Sequence, residues 1–169
     1  MYRFAMFDDG TTQHFLVTHS VNDTAAVGAR WYEFTSPTSS ASNPTLSLAQ
    51  AGQTPDDGEY RWMGSIARDK FGDIALGYSR SSAAAGDFPS IYVSGQTAGE
   101  PANTTDPEVL IKQGGGSQIN TASRWGDYSS MALDAADQCT FLYTTEYYPV
   151  DGSFQWYTWV SVVKFPSCP

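Results

Sequence analysis

The chain has 169 residues, enough for one domain with a buried core; 14% aromatic and only 16% charged residues, with 15 glycines and 9 prolines, exclude a disordered segment. A formal net charge of −9 argues against nucleic acid or an anionic membrane as a partner, and acidity of this kind keeps an aromatic-rich protein soluble. No run approaches the roughly 18 apolar residues of a helical membrane span.

Taken in chain order, the predicted elements are short strands rich in Val, Ile, Tyr and Trp and bounded by turn residues. The first group comprises 2–7, 14–20, 28–35 and 45–49, with the turn Met6-Phe-Asp-Asp-Gly10 between its first two members. The second comprises 63–68, 73–79, 90–94 and 108–112, with Ile66-Ala-Arg-Asp-Lys-Phe-Gly72 at the matching turn. Ser81-Ser-Ala-Ala-Ala-Gly86 is alanine-rich, but Asp-Phe-Pro follows and it reads as a loop. Gly114-Gly-Gly-Ser117 has the glycine content of a phosphate loop without its Lys or helix, and is predicted to be a flexible connection. The third group offers 129–133, 140–145 and a long strand 154–165, with Met131-Ala-Leu-Asp-Ala-Ala-Asp137 at the turn. No segment sustains a helical period.

Asp9, Asp69 and Asp134 therefore mark three copies of one strand–turn–strand unit, spaced 60 and 65 residues apart. A unit recurring at that period signals a repeat architecture. Strands such as Ser90-Ile-Tyr-Val-Ser94 are apolar on both faces, which suits sheets covered on both sides. The predicted fold is thus an all-β protein of three β-propeller blades, spanning approximately 1–52, 60–115 and 124–169, the last one incomplete. A β-sandwich built from the same strands is the alternative. Three blades cannot close a ring of the usual four to eight. Either the chain is part of a longer one, or copies of it associate.

Arg61-Trp-Met-Gly-Ser65, Ile74-Ala-Leu-Gly-Tyr-Ser79, Arg124-Trp-Gly-Asp-Tyr-Ser-Ser130, Cys139-Thr-Phe-Leu-Tyr-Thr-Thr-Glu-Tyr-Tyr148 and Lys164-Phe-Pro-Ser-Cys168 carry a resemblance across nearly the whole chain. It is similar to the C-terminal region of large secreted bacterial proteins with sialidase-like (BNR-type) propeller repeats. The resemblance implies the propeller fold and favours a carbohydrate-active role. The strict sialidase Asp-box, Ser-x-Asp-x-Gly-x-x-Trp, is absent; its Asp, and once its Gly, remain.

In an up-and-down blade the turns joining strands 1 and 2 lie on one rim. The three repeated aspartates fall there, where Asp bonds its own backbone, and are predicted to be structural. The other rim collects the starts of the first strands and the loops between strands 2 and 3. Arg61 and Arg124 there are candidates to hold a carboxylate or sugar hydroxyls. Trp62, Trp125, Tyr128 and Tyr147 are candidate substrate-binding aromatics, and the Arg-Trp pairs could equally lock blades together by cation–π stacking. Asp127 and Glu146 form a carboxylate pair of the kind glycoside hydrolysis requires. Being unrepeated, they are stronger functional candidates than the repeated residues. His14 and His19, five apart in one strand, are expected on opposite faces.

No cofactor or metal is predicted; the expected partner is a carbohydrate or another extracellular polymer. Two functions are open at this stage: an extracellular glycosidase-like hydrolase, or a non-catalytic propeller segment for binding or scaffolding. Met1-Tyr-Arg-Phe lacks the features of a signal peptide, yet few lysines and two cysteines suit a secreted protein whose leader lies upstream. A Cys139–Cys168 disulfide is expected, closing a loop of about 30 residues worth about 3 kcal/mol. Two free buried thiols are the alternative.

Overall fold

The computed structural model describes residues 4–40, 42–122 and 124–169. Among the described residues, eleven strands form three antiparallel sheets, each a simple meander. The first sheet contains β1 (Phe4–Asp8), β2 (Thr12–Asn22), β3 (Val27–Pro37) and β4 (Ser47–Gln53). The second contains β5 (Tyr60–Arg68), β6 (Ile74–Ser81), β7 (Ser90–Gln96) and β8 (Val109–Lys112). The third contains β9 (Ser130–Leu133), β10 (Phe141–Tyr147) and β11 (Tyr157–Val163). The described residues hold no α-helix, only a single 3-10 turn at Thr38–Ser40. Residues 2 and 3 of the expected first strand lie outside the described residues.

The sheets stack in chain order, so there are three layers and not the two that a sandwich would have. The first strand of the middle sheet, β5, lies against β1, β2 and β3; its counterpart β9 lies against β5 and β6. Strict alternation then buries both faces of the middle sheet's inner strands, β6 and β7. Ile66, Ile74, Leu76 and Tyr78 join Leu16, Ala29 and Trp31 of the first sheet in one core. Ala67, Ala75, Ile91 and Val93 point the other way, into a second core with Met131, Phe141 and Tyr143 of the third sheet. Two adjacent strand residues serving two cores is what continuous apolar strands are for.

A bulge between Trp62 and Ser65 makes β5 the spine of this arrangement. Met63 there has φ 54°, a left-handed conformation uncommon for a residue with a side chain. The bulge turns the Met63 carbonyl toward the Ser129 hydroxyl, which donates to it at 2.6 Å. The Ser65 hydroxyl accepts the Met131 N–H at 2.7 Å. On the other side, Gly64 lies so close to Thr18 that a Cβ would come within 2.9 Å of its hydroxyl.

The repeated aspartates close their turns as expected. Asp9 Oδ1 accepts from the N–H groups of Thr11 and Thr12, Asp69 Oδ1 from Phe71 and Asp73, and Asp134 Oδ1 from Ala136. The disulfide is also formed: Cys139 and Cys168 are bonded, with Cα atoms 5.5 Å apart and a sequence separation of 29. It ties the chain's last turn to the start of the third sheet's central hairpin, where Phe165 packs edge-on against Phe141 at 5.8 Å.

Two expectations need correction. The third strand of the last sheet begins at Tyr157 and not at residue 154, so Phe154 and Trp156 belong to a loop. The glycine run at 114–116 is not a flexible connection but a strap held tightly beneath two loops. Gly114 N–H donates to the Ser90 hydroxyl at 2.9 Å, and Gly115 N–H to the Tyr148 carbonyl at 2.9 Å. A Cβ would lie 2.1 Å from the Pro89 carbonyl oxygen at Gly114 and 2.2 Å from that of Pro149 at Gly115. Glycine is needed for close approach and not for freedom. Gly115→Ala is expected to cost about 3 kcal/mol, since backbone must shift to admit the methyl group; urea denaturation with an unchanged m-value and a lowered midpoint would be the result.

Candidate functional site

The strap leads into a cavity of about 550 Å³ on the outer face of the third sheet. Its floor is the end of β10 and the start of β11, where Thr144, Glu146 and Thr158 share one side of the sheet. Its walls are the segment 124–130 that precedes and opens β9, Gln118, and the loop carrying Phe154 and Trp156. Polar groups on the floor with aromatic rings at the rim are the usual make-up of a site for an amphipathic small ligand.

Glu146 is the central group. Its Oε1 accepts the Gly126 N–H at 2.8 Å, so the loop is fastened across the carboxylate. Gly126 suits that approach, because a Cβ would stand 2.8 Å from the Glu146 carboxyl carbon and the side chain would have to shift. Burial pushes the Glu146 carboxyl above the ordinary range; the Gly126 bond opposes this, and the Asp127 charge adds to it. Asp127 is exposed and ion-paired with Arg124, three residues before it. Two carboxylates of unlike surroundings thus face one cavity.

The sequence-derived candidates divide into two sets. Asp127, Glu146, Arg124 and Tyr128 line the cavity together. Arg61, Trp62, Trp125 and Tyr147 do not. Arg61 is only 1% exposed. Its guanidinium forms a fork with Asp57, at 2.8 Å from each carboxylate oxygen, and its remaining edge meets Glu108. Burial works against the charge, but the bonds to Asp57 and Glu108 outweigh it and hold the guanidinium firmly protonated. Every donor is occupied within the protein, so Arg61 is a brace and not a substrate clamp. Arg80 shares Glu108 and also reaches Glu59 at 3.2 Å.

Trp62 and Trp125 pack on each other edge to face, with centroids 5.7 Å apart, and Trp125 also meets Tyr148 at 5.5 Å. They join the second and third sheets in place of offering platforms to a ligand. Tyr147 is buried in the core between those sheets, with Lys112 over its ring at 5.2 Å. Because β10 runs through Tyr147, adjacent Glu146 and Tyr147 must point to opposite faces.

Phe154, Trp156 and Gln118 were missed as site residues. Phe154 and Trp156 are more than half exposed, which is unusual for such large rings and places two apolar surfaces at the cavity mouth. Their signal in the sequence was the aromatic run Phe154-Gln-Trp-Tyr157, which reads equally well as strand.

A second cavity of about 290 Å³ lies between the first two sheets, beside Glu33, Gln50, Arg68 and Gln96. Glu33 is buried there and accepts from His14 Nδ1 at 2.8 Å, Gln50 at 2.7 Å and Arg68 at 3.0 Å. Burial acts to raise its pKa, but these bonds and the Arg68 charge win, and it is lowered. The cluster is internally satisfied, which suits a brace between sheets. His14 points into it, whereas His19 stacks on Tyr32 on the opposite face. Comparisons with protein-family models, with curated proteins and with solved structures found no match for this chain.

Proposed function

We propose that the cavity on the third sheet binds and hydrolyses a carbohydrate, with Glu146 as the general acid and Asp127 as the second carboxylate. The observation that carries this reading is Glu146 itself: a carboxyl with a raised pKa, half-buried in a cavity, beside another carboxylate and beneath exposed aromatic rings. A general acid at neutral pH needs a carboxyl kept protonated by its surroundings, and burial beside a like charge is the usual means. Trp156, Phe154 and Tyr128 would stack on sugar faces, and Arg124 would orient Asp127. In this reading the three sheets are consecutive blades of a β-propeller. Their meander order, the adjacency of β1, β5 and β9 through β5, and the double burial of the middle sheet's inner strands support that. An extracellular setting belongs to the same proposal and is supported by the Cys139–Cys168 bridge, since disulfides persist in oxidising compartments.

A second reading rests on the Gly126–Glu146 bond, which fastens a loop and needs no chemistry. In that case the cavity binds glycan without cleaving it. A hydrolysis screen over aryl glycosides and polysaccharides separates the two. Glu146→Gln is expected to reduce turnover about 10³-fold and Asp127→Asn by at least about 10²-fold, consistent with loss of acid–base catalysis. Turnover unchanged in both variants sinks the hydrolase reading. Binding by affinity electrophoresis without turnover, abolished by Trp156→Ala, supports the binding module.

A further inference from the structure

Among the described residues, the stack of sheets ends in two uncovered apolar faces. On the first sheet, the side turned away from β5 presents Phe4, Met6, Phe15, Tyr32, Phe34 and Leu48, aligned by the strand register. Phe4 stacks on Phe15 at 5.6 Å and Tyr32 on Phe34 at 6.1 Å, while Met6 is 57% exposed. On the third sheet, the side turned away from β6 presents Leu142, Val160 and Val162, and Val162 is 65% exposed. Patches of this kind on a folded chain mark contact surfaces.

The two faces are the two halves of a junction that the chain already makes twice. The first strand of each sheet packs on the sheet before it: β5 on the first sheet, β9 on the second. The next member of that series would present a first strand to the third sheet, and β1 is the first strand whose sheet has a bare outer face. Where β2 ends and β3 begins, the first sheet's outer face carries Arg30 directly across from His19. Gln53 takes one N–H of Arg30 and the rest of that exposed guanidinium is at the surface. The corresponding end of the third sheet, where β10 ends and β11 begins, carries Glu146, with Asp127 beside it. Both ends carry both signs, since Arg124 pairs with Asp127 at one and Asp23 accepts from Gln53 at the other.

We propose that a second copy of this chain seats the outer face of its first sheet on the third sheet, and receives the same contact in return. Three sheets from each of two copies make six, within the four to eight that close a ring, and the two junctions are identical. The partner subunit's Arg30 and the partner subunit's His19 then border the cavity of Glu146, so each site is completed across the junction. This last point rests on the proposed site; the assembly does not.

Light scattering on the full chain at about 50 µM and 0.15 M salt, enough to screen the net charge of −9, reads the assembly without reference to activity. The expected mass is twice 18.4 kDa. Met6→Glu and Val162→Glu place a charge on the two opposite faces, and each alone should give a monomer whose circular dichroism matches the parent and whose melting no longer depends on concentration. Mixed in equal amounts, they should recover a heterodimer, since each retains the face the other has lost. Wild-type monomer at this concentration overturns the proposal. So does a Val162→Glu protein that remains dimeric, since the first sheets would then be pairing with each other, and so does an open concentration-dependent ladder. A dimer without hydrolysis would cost the hydrolase reading alone.

Discussion

Replacing Arg61 by alanine is expected to destabilise the fold by about 3–5 kcal/mol, the usual cost of removing one partner from a buried ion pair. The guanidinium is the meeting point of the Asp57 fork, the Glu108 carboxylate and the carbonyl of Pro55, 3.0 Å away. Without it, Glu108 keeps only Arg80, at 3.5 Å, and the Tyr78 hydroxyl, which donates to it at 2.7 Å in the buried core. The variant Arg61→Ala/Glu108→Gln should recover part of the loss by removing the stranded charge. Urea denaturation of the single and double variants measures the coupling directly. An acid dependence accompanies it. The hydrogen bonds from Arg61 hold the Asp57 carboxyl down to about 2, against the ordinary carboxylate range near 4. A depressed folded-state pKa stabilises above the unfolded value and loses that contribution as pH falls through the folded one. The wild type should therefore shed stability between about pH 4 and pH 2, and Arg61→Ala should shed less there. An Arg61→Ala protein as stable as the parent would dismiss the brace.

Reduction of Cys139–Cys168 is expected to lower stability by about 3 kcal/mol, because the bridge removes loop-closure freedom from the unfolded chain. For a chain of this size that is a fall in Tm of about 6–12 °C. Cys168→Ser should melt at the reduced temperature with or without reductant, which separates the bridge from side effects of the reagent. The last turn has other anchors: Phe165 on Phe141, and the Ser167 hydroxyl donating to Asp73. The sheets should therefore survive reduction, with retained far-ultraviolet dichroism at 25 °C. Equal melting of the oxidised and reduced forms would show that these anchors suffice.

The strand layout was legible from the chain because its punctuation is local. Each repeated Asp turn is closed by side-chain bonds to N–H groups two to four residues on, and such geometry leaves a readable mark. What decided the site was not local. Arg61 is separated by 47 residues from Glu108, and nothing near either residue says that they meet. The bulge at Met63 and Gly64 has no flag beyond one glycine, yet it sets how β9 docks. The sequence reads Tyr147 as part of a loop; once β10 extends through it, alternation alone sends it to the face opposite Glu146. The aromatic run reads Trp156 as strand, whereas it stands in a loop, and a three-residue difference in one boundary hides its exposure.

The inner strands of the middle sheet, β6 and β7, have no solvent-facing side of their own. β6 runs from Ile74 through Ser79 with every residue buried, half of them toward each neighbour. A strand in that position cannot loosen without stripping both cores at once, so the three sheets must melt as a single cooperative unit despite being covalently sequential. Repeats of this kind differ from beads on a string: dividing the chain between them would leave each piece with a wet apolar wall, and none would be an autonomous folding module.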